Sequence, residues 1–158
     1  AALDEVPKGL ERVTDRIEPS RTRVDAALSA GAERNQRDLA QFHLDTARRA
    51  FDGGHDAEAI RELRRTLYLT PYDGQAHLLL GRALARSGLL IEAAGAFKIA
   101  VWSDETPEAL VALGDVLLRQ RDVQGARRAV DRAVELAPDD PDVRALAERV
   151  RAGPGGGA

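Results

Sequence analysis

Three segments of the chain repeat one pattern of small and large apolar residues, in steps of 34 and 33 residues. The first small residue of each segment is Ala47, Gly81 or Gly114, and the second is Ala59, Ala93 or Ala126. A period of this length indicates supersecondary units that cannot bury their apolar faces alone and that stack on one another. The repeat therefore constrains the chain to an array of similar units.

The pattern within one segment predicts a pair of antiparallel helices. We expect small residues where the two helices approach closely. A larger residue follows the second small residue by four positions, so both lie on one helix face; these larger residues are Leu63, Phe97 and Val130. Thr66, Ala100 and Ala133 form a third small position, which we expect to pack against the next segment. Pro71 and Pro138 end the second helix, because proline cannot continue it.

Helices are predicted at residues 36–51, 56–69, 73–87, 90–102, 107–120 and 123–136, with a seventh at 140–151. Loops at Gly53-Gly54, Ser87-Gly88 and Arg121-Asp122 separate the helices of each pair. The seventh helix carries Val143, Leu146, Ala147 and Val150 on one face and charged residues on the other. One apolar and one polar face are typical of a helix that caps a repeat array.

This pattern resembles the tetratricopeptide repeat, which has small residues at three fixed places and a proline after its second helix. The resemblance covers residues 40–138 and implies an all-α fold, a right-handed α-solenoid of stacked antiparallel helix pairs. The array would span residues 36–151, with repeats at about 40–73, 74–106 and 107–139 and a capping helix at 140–151. The chain departs from the family where a Trp is usual, and there has His43, His77 or Leu110. Glu105 replaces the second proline, and Thr106-Pro107 is predicted to cap and start the next helix.

Both ends of the chain lie outside the repeats. One apolar stripe precedes Pro19 (Leu10, Val13, Ile17) and another follows it (Val24, Ala27, Leu28). We predict two short amphipathic helices in residues 1–35. These helices either cap the first repeat or dock onto a partner subunit. Residues 152–158 are rich in glycine and are predicted to form a mobile tail.

Composition argues against several classes of function. The net charge of −3 gives no strong attraction for nucleic acid or an anionic membrane. The sequence has no cysteine, so it cannot form disulfides or thiolate metal sites. No apolar run approaches the roughly 20 residues that span a bilayer. We expect a soluble protein, and both cytoplasm and periplasm stay open.

No group of residues suggests an active site or a metal site. His43 and His77 occupy equivalent repeat positions, which helix packing would place roughly 10 Å apart, too far to share one ion. The acidic residues have Arg neighbours and read as solvated ion pairs. Tyr68 and Trp102 share one repeat position and are predicted to fill gaps between helices. We therefore predict no catalysis, no cofactor and no metal.

The family resemblance implies that a partner segment binds a concave groove lined by the first helix of each repeat. Carried over residue by residue, the groove comprises Gln41, Leu44, Arg48, Phe51, Gln75, Leu78, Arg82, Arg86, Glu108, Val111, Asp115 and Arg119. Leu44, Leu78 and Val111 would form an apolar ladder. Arg48, Arg82, Arg86 and Arg119 would form a basic rim. Such a groove suits a protein or peptide segment with apolar anchors and acidic residues. Alternatively, these arginines pair with acids of the chain such as Asp45, Asp52 and Asp115.

One family subtype is disfavoured by the groove residues. Co-chaperones that grip the C-terminal carboxylate of heat-shock chaperones use Lys, Asn and Arg at places that here hold Leu44, Arg48, Leu79, Glu108 and Ala112. The leading hypothesis is a scaffold or adaptor whose groove binds a partner segment. The alternatives are a permanent subunit of a larger assembly, held through residues 1–35 or the convex face, and a regulatory domain of a longer enzyme. RNA binding is disfavoured, because the chain is acidic and lacks a stacking aromatic in each repeat.

Overall fold

The computed structural model describes residues 8–153, with side chains described from residue 21 onward. All regular structure in that range is helical: α1 (Lys8–Asp52), α2 (Asp56–Leu69), α3 (Gly74–Arg86), α4 (Leu90–Ser103), α5 (Pro107–Arg119), α6 (Val123–Leu136) and α7 (Pro141–Ala152). The all-helical prediction is confirmed. Helices α2 to α7 each begin and end within one residue of the predicted bounds. Residues 1–7 and 154–158, with most of the predicted mobile tail, lie outside the described residues.

The N-terminal helices differ from the prediction. Helix α1 is one helix of 45 residues, without the predicted break after Pro19 or a separate start at residue 36. A proline in a helix removes one hydrogen bond, at a cost of about 3 kcal/mol. Residues 20–52 contain no further proline and are rich in Ala, Arg, Leu and Gln, all strong helix formers. The favourable turns that follow Pro19 outweigh its cost.

The chain divides into two compact units, one that ends at Asp38 and one that begins at Leu39. In the first unit, Val24 and Leu28 are 56% and 68% exposed. In the second unit, α2 to α7 contact one another in chain order. Capping of the first repeat by residues 1–35 stays a prediction, as does their docking onto a partner.

Side-chain caps fix the starts of four helices in the second unit. Asp73, Thr106 and Asp122 each accept a hydrogen bond from the backbone N–H three residues on, at 3.0, 3.1 and 2.9 Å. Asp140 accepts bonds from two backbone N–H groups at the start of α7. These bonds satisfy donors that a helix end leaves free. The predicted capping by Thr106, with Pro107 in the first turn, is confirmed.

The small residues of the repeat lie where helices touch. A Cβ atom on Gly81 would overlap the ring of Phe97, and one on Gly114 would lie 2.7 Å from Cδ2 of Leu146. The second small residue of each repeat is completely buried, as are Ala47 and Leu63. The spacing of small residues in the sequence therefore reports the close approach of helices, as predicted.

Tyr68 and Trp102 do not fill gaps between helices, contrary to the prediction. Their exposed fractions are 86% and 72%. Each follows the buried large residue of its helix, Leu63 or Phe97, by five positions, which turns it about 140° around the helix. Trp102 contacts Tyr72, with ring centroids 5.5 Å apart in an edge-to-face arrangement.

Candidate functional site

The predicted apolar ladder of the concave surface is wrong at two of its three positions. Leu44 and Leu78 are only 3% and 7% exposed. Leu44 packs in a core cluster with Leu63 and Leu79, and Leu78 packs in the larger cluster of the second and third repeats. Helix α3 contacts α2, α4 and α5, so its buried stripe is wider than one row of residues. Of the three, Val111 lines a surface hollow, described below.

The predicted basic rim is largely engaged within the chain. Arg82 pairs with Glu108, and Arg119 donates a hydrogen bond to the carbonyl of Ala85 at 3.3 Å. Arg48 and Gln75 are exposed, and Gln41 donates a hydrogen bond to the carboxylate of Asp45 at 2.8 Å. The alternative that these arginines find partners within the chain fits better, although the partners differ from those expected.

Arg86, in the second repeat, contacts two residues of the first repeat. Its Nε donates to both carboxylate oxygens of Asp56, at 2.8 and 2.9 Å, and its Nη2 donates to the carbonyl of Phe51 at 2.6 Å. Its guanidinium carbon lies 3.7 Å from the centre of the Phe51 ring. The hydrogen bonds from Arg86 hold the pKa of Asp56 below its usual value, against the opposing effect of burial. Phe51 and Arg86, both predicted groove residues, thus bind each other.

A surface hollow of 590 Å³ lies between α3, α5 and α7, and we call it the α5 hollow. It is lined by Arg82, Pro107, Glu108, Val111, Ala112, Asp115, Asp140, Asp142, Ala145, Leu146 and Arg149. Two ion pairs lie in its wall, Arg82 with Glu108 and Arg149 with Asp115, the second at 2.6 Å. Val111, Ala112 and Leu146 supply an apolar floor.

The α5 hollow has an excess of negative charge. Its lining holds four carboxylates (Glu108, Asp115, Asp140, Asp142) and two guanidinium groups (Arg82, Arg149). Both guanidinium groups already pair with a carboxylate, so Asp140 and Asp142 remain. Both lie at the N-terminal end of α7, and one carboxylate oxygen of Asp140 also accepts the capping hydrogen bonds of that helix. The hollow therefore offers an apolar floor beside two carboxylates.

Seven of the eleven lining residues were not among the predicted groove positions of the repeat. Arg82, Glu108, Val111 and Asp115 were among the predicted groove residues, and the structure brings them together. Asp142 and Arg149 belong to α7 and Asp140 immediately precedes it; the pattern identifies this helix only as a cap of the array. The acidic first turn of α7 is visible in the sequence, but its place in the wall of the hollow depends on how α7 contacts α5 and α6.

The histidines have structural contacts. Nδ1 of His43 lies 2.6 Å from the carboxylate of Glu62, and Nε2 of the buried His77 lies 2.8 Å from the carbonyl of Pro71. Among the described residues, no three potential ligands from His, Cys, Asp and Glu cluster as a metal site would require. Within residues 8–153, no helix is both long and apolar enough to cross a bilayer.

Comparisons with known proteins identify the repeat. The sequence pattern described as "Tetratricopeptide repeat" matches residues 44–109 and 92–141. No curated protein sequence is significantly similar to the chain.

Several solved structures share the fold. The TPR domain of Arabidopsis OM64 superposes with a TM-score of 0.70 at 14% identity, over 73% of this chain and 97% of that one. The first TPR of Spaghetti (RPAP3), bound to an HSP90 peptide, gives 0.69 at 17% identity, over 72% and 91%. YrrB, described as a TPR protein with an unusual peptide-binding site, gives 0.65 at 21% identity, over 74% and 61%. Identities this low establish similarity of fold.

Proposed function

Because the chain belongs to the tetratricopeptide repeat family, we propose that it is a scaffold or adaptor that binds a segment of a partner protein. The proposal rests on the α5 hollow, a concave site with an apolar floor and two carboxylates that no ion pair of the hollow engages. Several proteins of similar fold are described as binding peptides. Apolar anchors seated in a preformed concave surface would supply most of the affinity.

The charge of the hollow favours a basic residue in the bound segment. A Lys or Arg could pair with Asp140 or Asp142, while a small apolar neighbour covers Val111 and Leu146. A basic segment is the opposite of the acidic segment that the predicted basic rim would bind. The difference arises because Arg82 and Arg86 already pair with Glu108 and Asp56.

The HSP90 peptide of the Spaghetti (RPAP3) structure is not the ligand that we propose. Two places where the chaperone-binding subtype has polar side chains hold Leu44 and Leu79 here, and both are buried at 3% and 9% exposure. A third holds Glu108, whose carboxylate would repel a terminal carboxylate. These residues support the expectation that the carboxylate clamp is absent.

A permanent subunit of a larger assembly is the second candidate. It is favoured by apolar side chains on the side of α4 that faces away from the core, where Ile91 and Trp102 are 83% and 72% exposed. Such a surface is rare on a protein that acts alone. The two candidates are compatible, since the exposed residues of α4 are not part of the α5 hollow.

A displayed library of random peptides tests the first candidate. Peptides selected on the wild-type chain are expected to carry a basic residue next to an apolar one, and Asp142→Lys should weaken their binding at least about tenfold by calorimetry. Asp139→Lys is the matched control, because Asp139 lies three residues before Asp142, is highly exposed and is outside the lining of the hollow. Acidic selected peptides, or equal binding to the Asp142→Lys variant, would place the site elsewhere.

A further inference from the structure

A surface hollow of 450 Å³ lies in the first repeat, between α1 and α2, and we call it the α2 hollow. Its lining combines apolar surface with positive charge and comprises Leu39, His43, Arg64, Arg65, Tyr68 and Leu69. Leu39 and Tyr68 are 48% and 86% exposed. Apolar surface that stays exposed beside charged residues is typical of an interaction site.

In the second repeat, the same place is covered by an aromatic ring from the chain itself. Trp102 is the equivalent of Tyr68, 34 positions later. The ring of Tyr72 packs edge to face on the indole of Trp102, with the ring centroids 5.5 Å apart. Tyr72 directly precedes Asp73, the N-cap of α3. The connector that enters the first helix thus places its last residue on the second helix.

In the third repeat, the same connector position covers the second helix with a carboxylate. Glu105 directly precedes Thr106, the N-cap of α5, and is the equivalent of Tyr72. Its carboxylate accepts hydrogen bonds from Nε and Nη2 of Arg132, at 2.8 and 2.6 Å. Nη1 of Arg132 donates to Glu135 at 2.7 Å. One guanidinium therefore binds two carboxylates, one from its own helix and one from the connector.

The first repeat has no connector of this kind in the described part of the chain. Asp73 and Thr106, the N-caps of the later first helices, have extended backbones. Leu39 is their equivalent, but it lies inside the continuous helix α1. The chain makes no turn there, so the residue that would cover α2 is missing. The α2 hollow is open where Tyr72 and Glu105 cover the later repeats.

Arg65 has the same free atoms that Arg132, its equivalent, uses to bind the connector. Nη1 of Arg65 donates to Glu62, one turn earlier on α2, at 2.6 Å. Its Nε and Nη2 bind no carboxylate among the described residues, whereas those of Arg132 bind Glu105. Arg64 adds a second guanidinium without a carboxylate partner in the described part of the chain. The hollow therefore presents unmatched positive charge beside its apolar surface.

We propose that the α2 hollow binds a segment of a partner protein in which an aromatic residue lies within two positions of Asp or Glu. The aromatic ring packs on Tyr68, as Tyr72 does on Trp102. The carboxylate binds Nε and Nη2 of Arg65, as the connector carboxylate does in the third repeat. Residues three apart on a helix have Cβ atoms about 5–6 Å apart. Residues two apart on an extended segment span a similar distance of about 6.6 Å.

The partner segment needs both contacts, although each connector makes only one. A connector is tethered to its own helix, so a single contact suffices there. A separate segment has no tether, so burial of the aromatic ring supplies affinity and the carboxylate fixes the register. The α2 hollow and the α5 hollow share no residue and favour opposite charges. The inference therefore does not depend on the proposed function.

Peptide display with subtraction tests the proposal. Random peptides are selected on the full chain, and those that also bind the double variant Tyr68→Ala with Arg65→Glu are removed. The remaining peptides are expected to carry Phe, Tyr or Trp within two positions of Asp or Glu. For one such peptide, labelled and followed by fluorescence anisotropy, Arg65→Glu should weaken binding at least about tenfold. Tyr68→Ala should weaken it about fivefold.

Arg61→Glu is the matched control, because Arg61 is exposed on the same helix and outside the lining of the hollow. It should change the dissociation constant by less than about threefold, since exposed charges without a direct contact contribute little. All three replaced side chains are exposed, so helical circular dichroism should stay at the wild-type value. The proposal is overturned if no peptide depends on Tyr68 and Arg65, or if the dependent peptides lack the aromatic–acidic pair. Equal weakening by Arg61→Glu and Arg65→Glu also overturns it, because general attraction would then explain binding.

Discussion

At the scale of single residues, the three repeats act as controls for one another, because equivalent positions carry different side chains on the same backbone. The turn inside each helix pair needs one residue in the left-handed conformation, with φ of 79° at Gly54, 81° at Gly88 and 64° at Arg121. Glycine adopts this conformation freely, while a side chain makes it unfavourable. The third repeat therefore carries a strain that the first two avoid.

Replacing Arg121 by glycine should relieve that strain. We expect Arg121→Gly to raise the free energy of unfolding by about 0.5–1 kcal/mol, less than the full strain because glycine also loosens the unfolded chain. Gly88→Ala is the opposite change in the second repeat and should lower it by a similar amount. Urea unfolding measures both, and a destabilised Arg121→Gly variant would show that the side chain makes a compensating contact.

The sequence did not predict which of the groove positions are buried. Leu44, Leu78 and Val111 occupy equivalent repeat positions, so a repeat pattern treats them alike. Their exposure nevertheless differs: Leu44 and Leu78 are almost fully buried, whereas Val111 is half-buried. The small residues were predictable because sterics alone decide them, as at Gly81 and Gly114.

At the scale of elements, α7 both completes the core and builds the site. Its residues Val143 and Leu146 are almost fully buried against α5 and α6. Its first turn supplies Asp142 to the α5 hollow, and Arg149 pairs with Asp115 across the same hollow. An apolar stripe predicts the first role from sequence. The second needs the angle at which α7 meets α5, which no local pattern encodes.

Truncation of Leu146 should therefore affect both roles of α7. We expect Leu146→Ala to lower the free energy of unfolding by about 2–5 kcal/mol through loss of apolar contacts and a residual cavity. It should also weaken the peptides selected on the α5 hollow. Arg151→Ala is the surface control on the same helix, with a side chain 75% exposed, and should change neither. Denaturant unfolding and calorimetry distinguish the two effects.

For helix α1, the sequence predicted the type of secondary structure but not the length of the helix. Helical character was predictable for residues 8–52, because strong helix formers dominate them. The continuity of α1 through Pro19 was not predictable, because a proline in a sequence usually indicates a helix end. Whether the helix ends there depends on the stability of the turns on either side.

At the scale of the whole array, ion pairs join each repeat to the next. Asp56 with Arg86 joins the first to the second, and Glu105 with Arg132 joins the second to the third. The hydrogen bonds from Arg132 hold the pKa of Glu105 below its usual value, as those from Arg86 do for Asp56. Both carboxylates therefore favour the folded state when they are ionised.

This linkage fixes the sign of the pH dependence. A carboxyl group with a lowered folded pKa contributes stability above its unfolded pKa, here near the usual 3.8 for Asp56 and 4.5 for Glu105, and loses it as the pH falls through the folded pKa. We expect the melting temperature to fall below about pH 4.5. The double variant Asp56→Asn with Glu105→Gln should be less stable at pH 7 and should flatten this decline. Because Glu105 is exposed and Asp56 is only partly buried, solvent screening keeps the difference modest. A decline as steep as that of wild type would assign the acid sensitivity to other carboxylates.

The position of Trp102 has a consequence for optical spectroscopy. It is the only tryptophan in the sequence, and its indole faces water in the folded chain. Its emission in the native monomer should therefore resemble that of an unfolded polypeptide, with the Tyr72 ring as its main neighbour. Tryptophan fluorescence would barely register the collapse of the helices. The emission of Trp102 would instead change when another molecule binds to α4 and covers the indole ring.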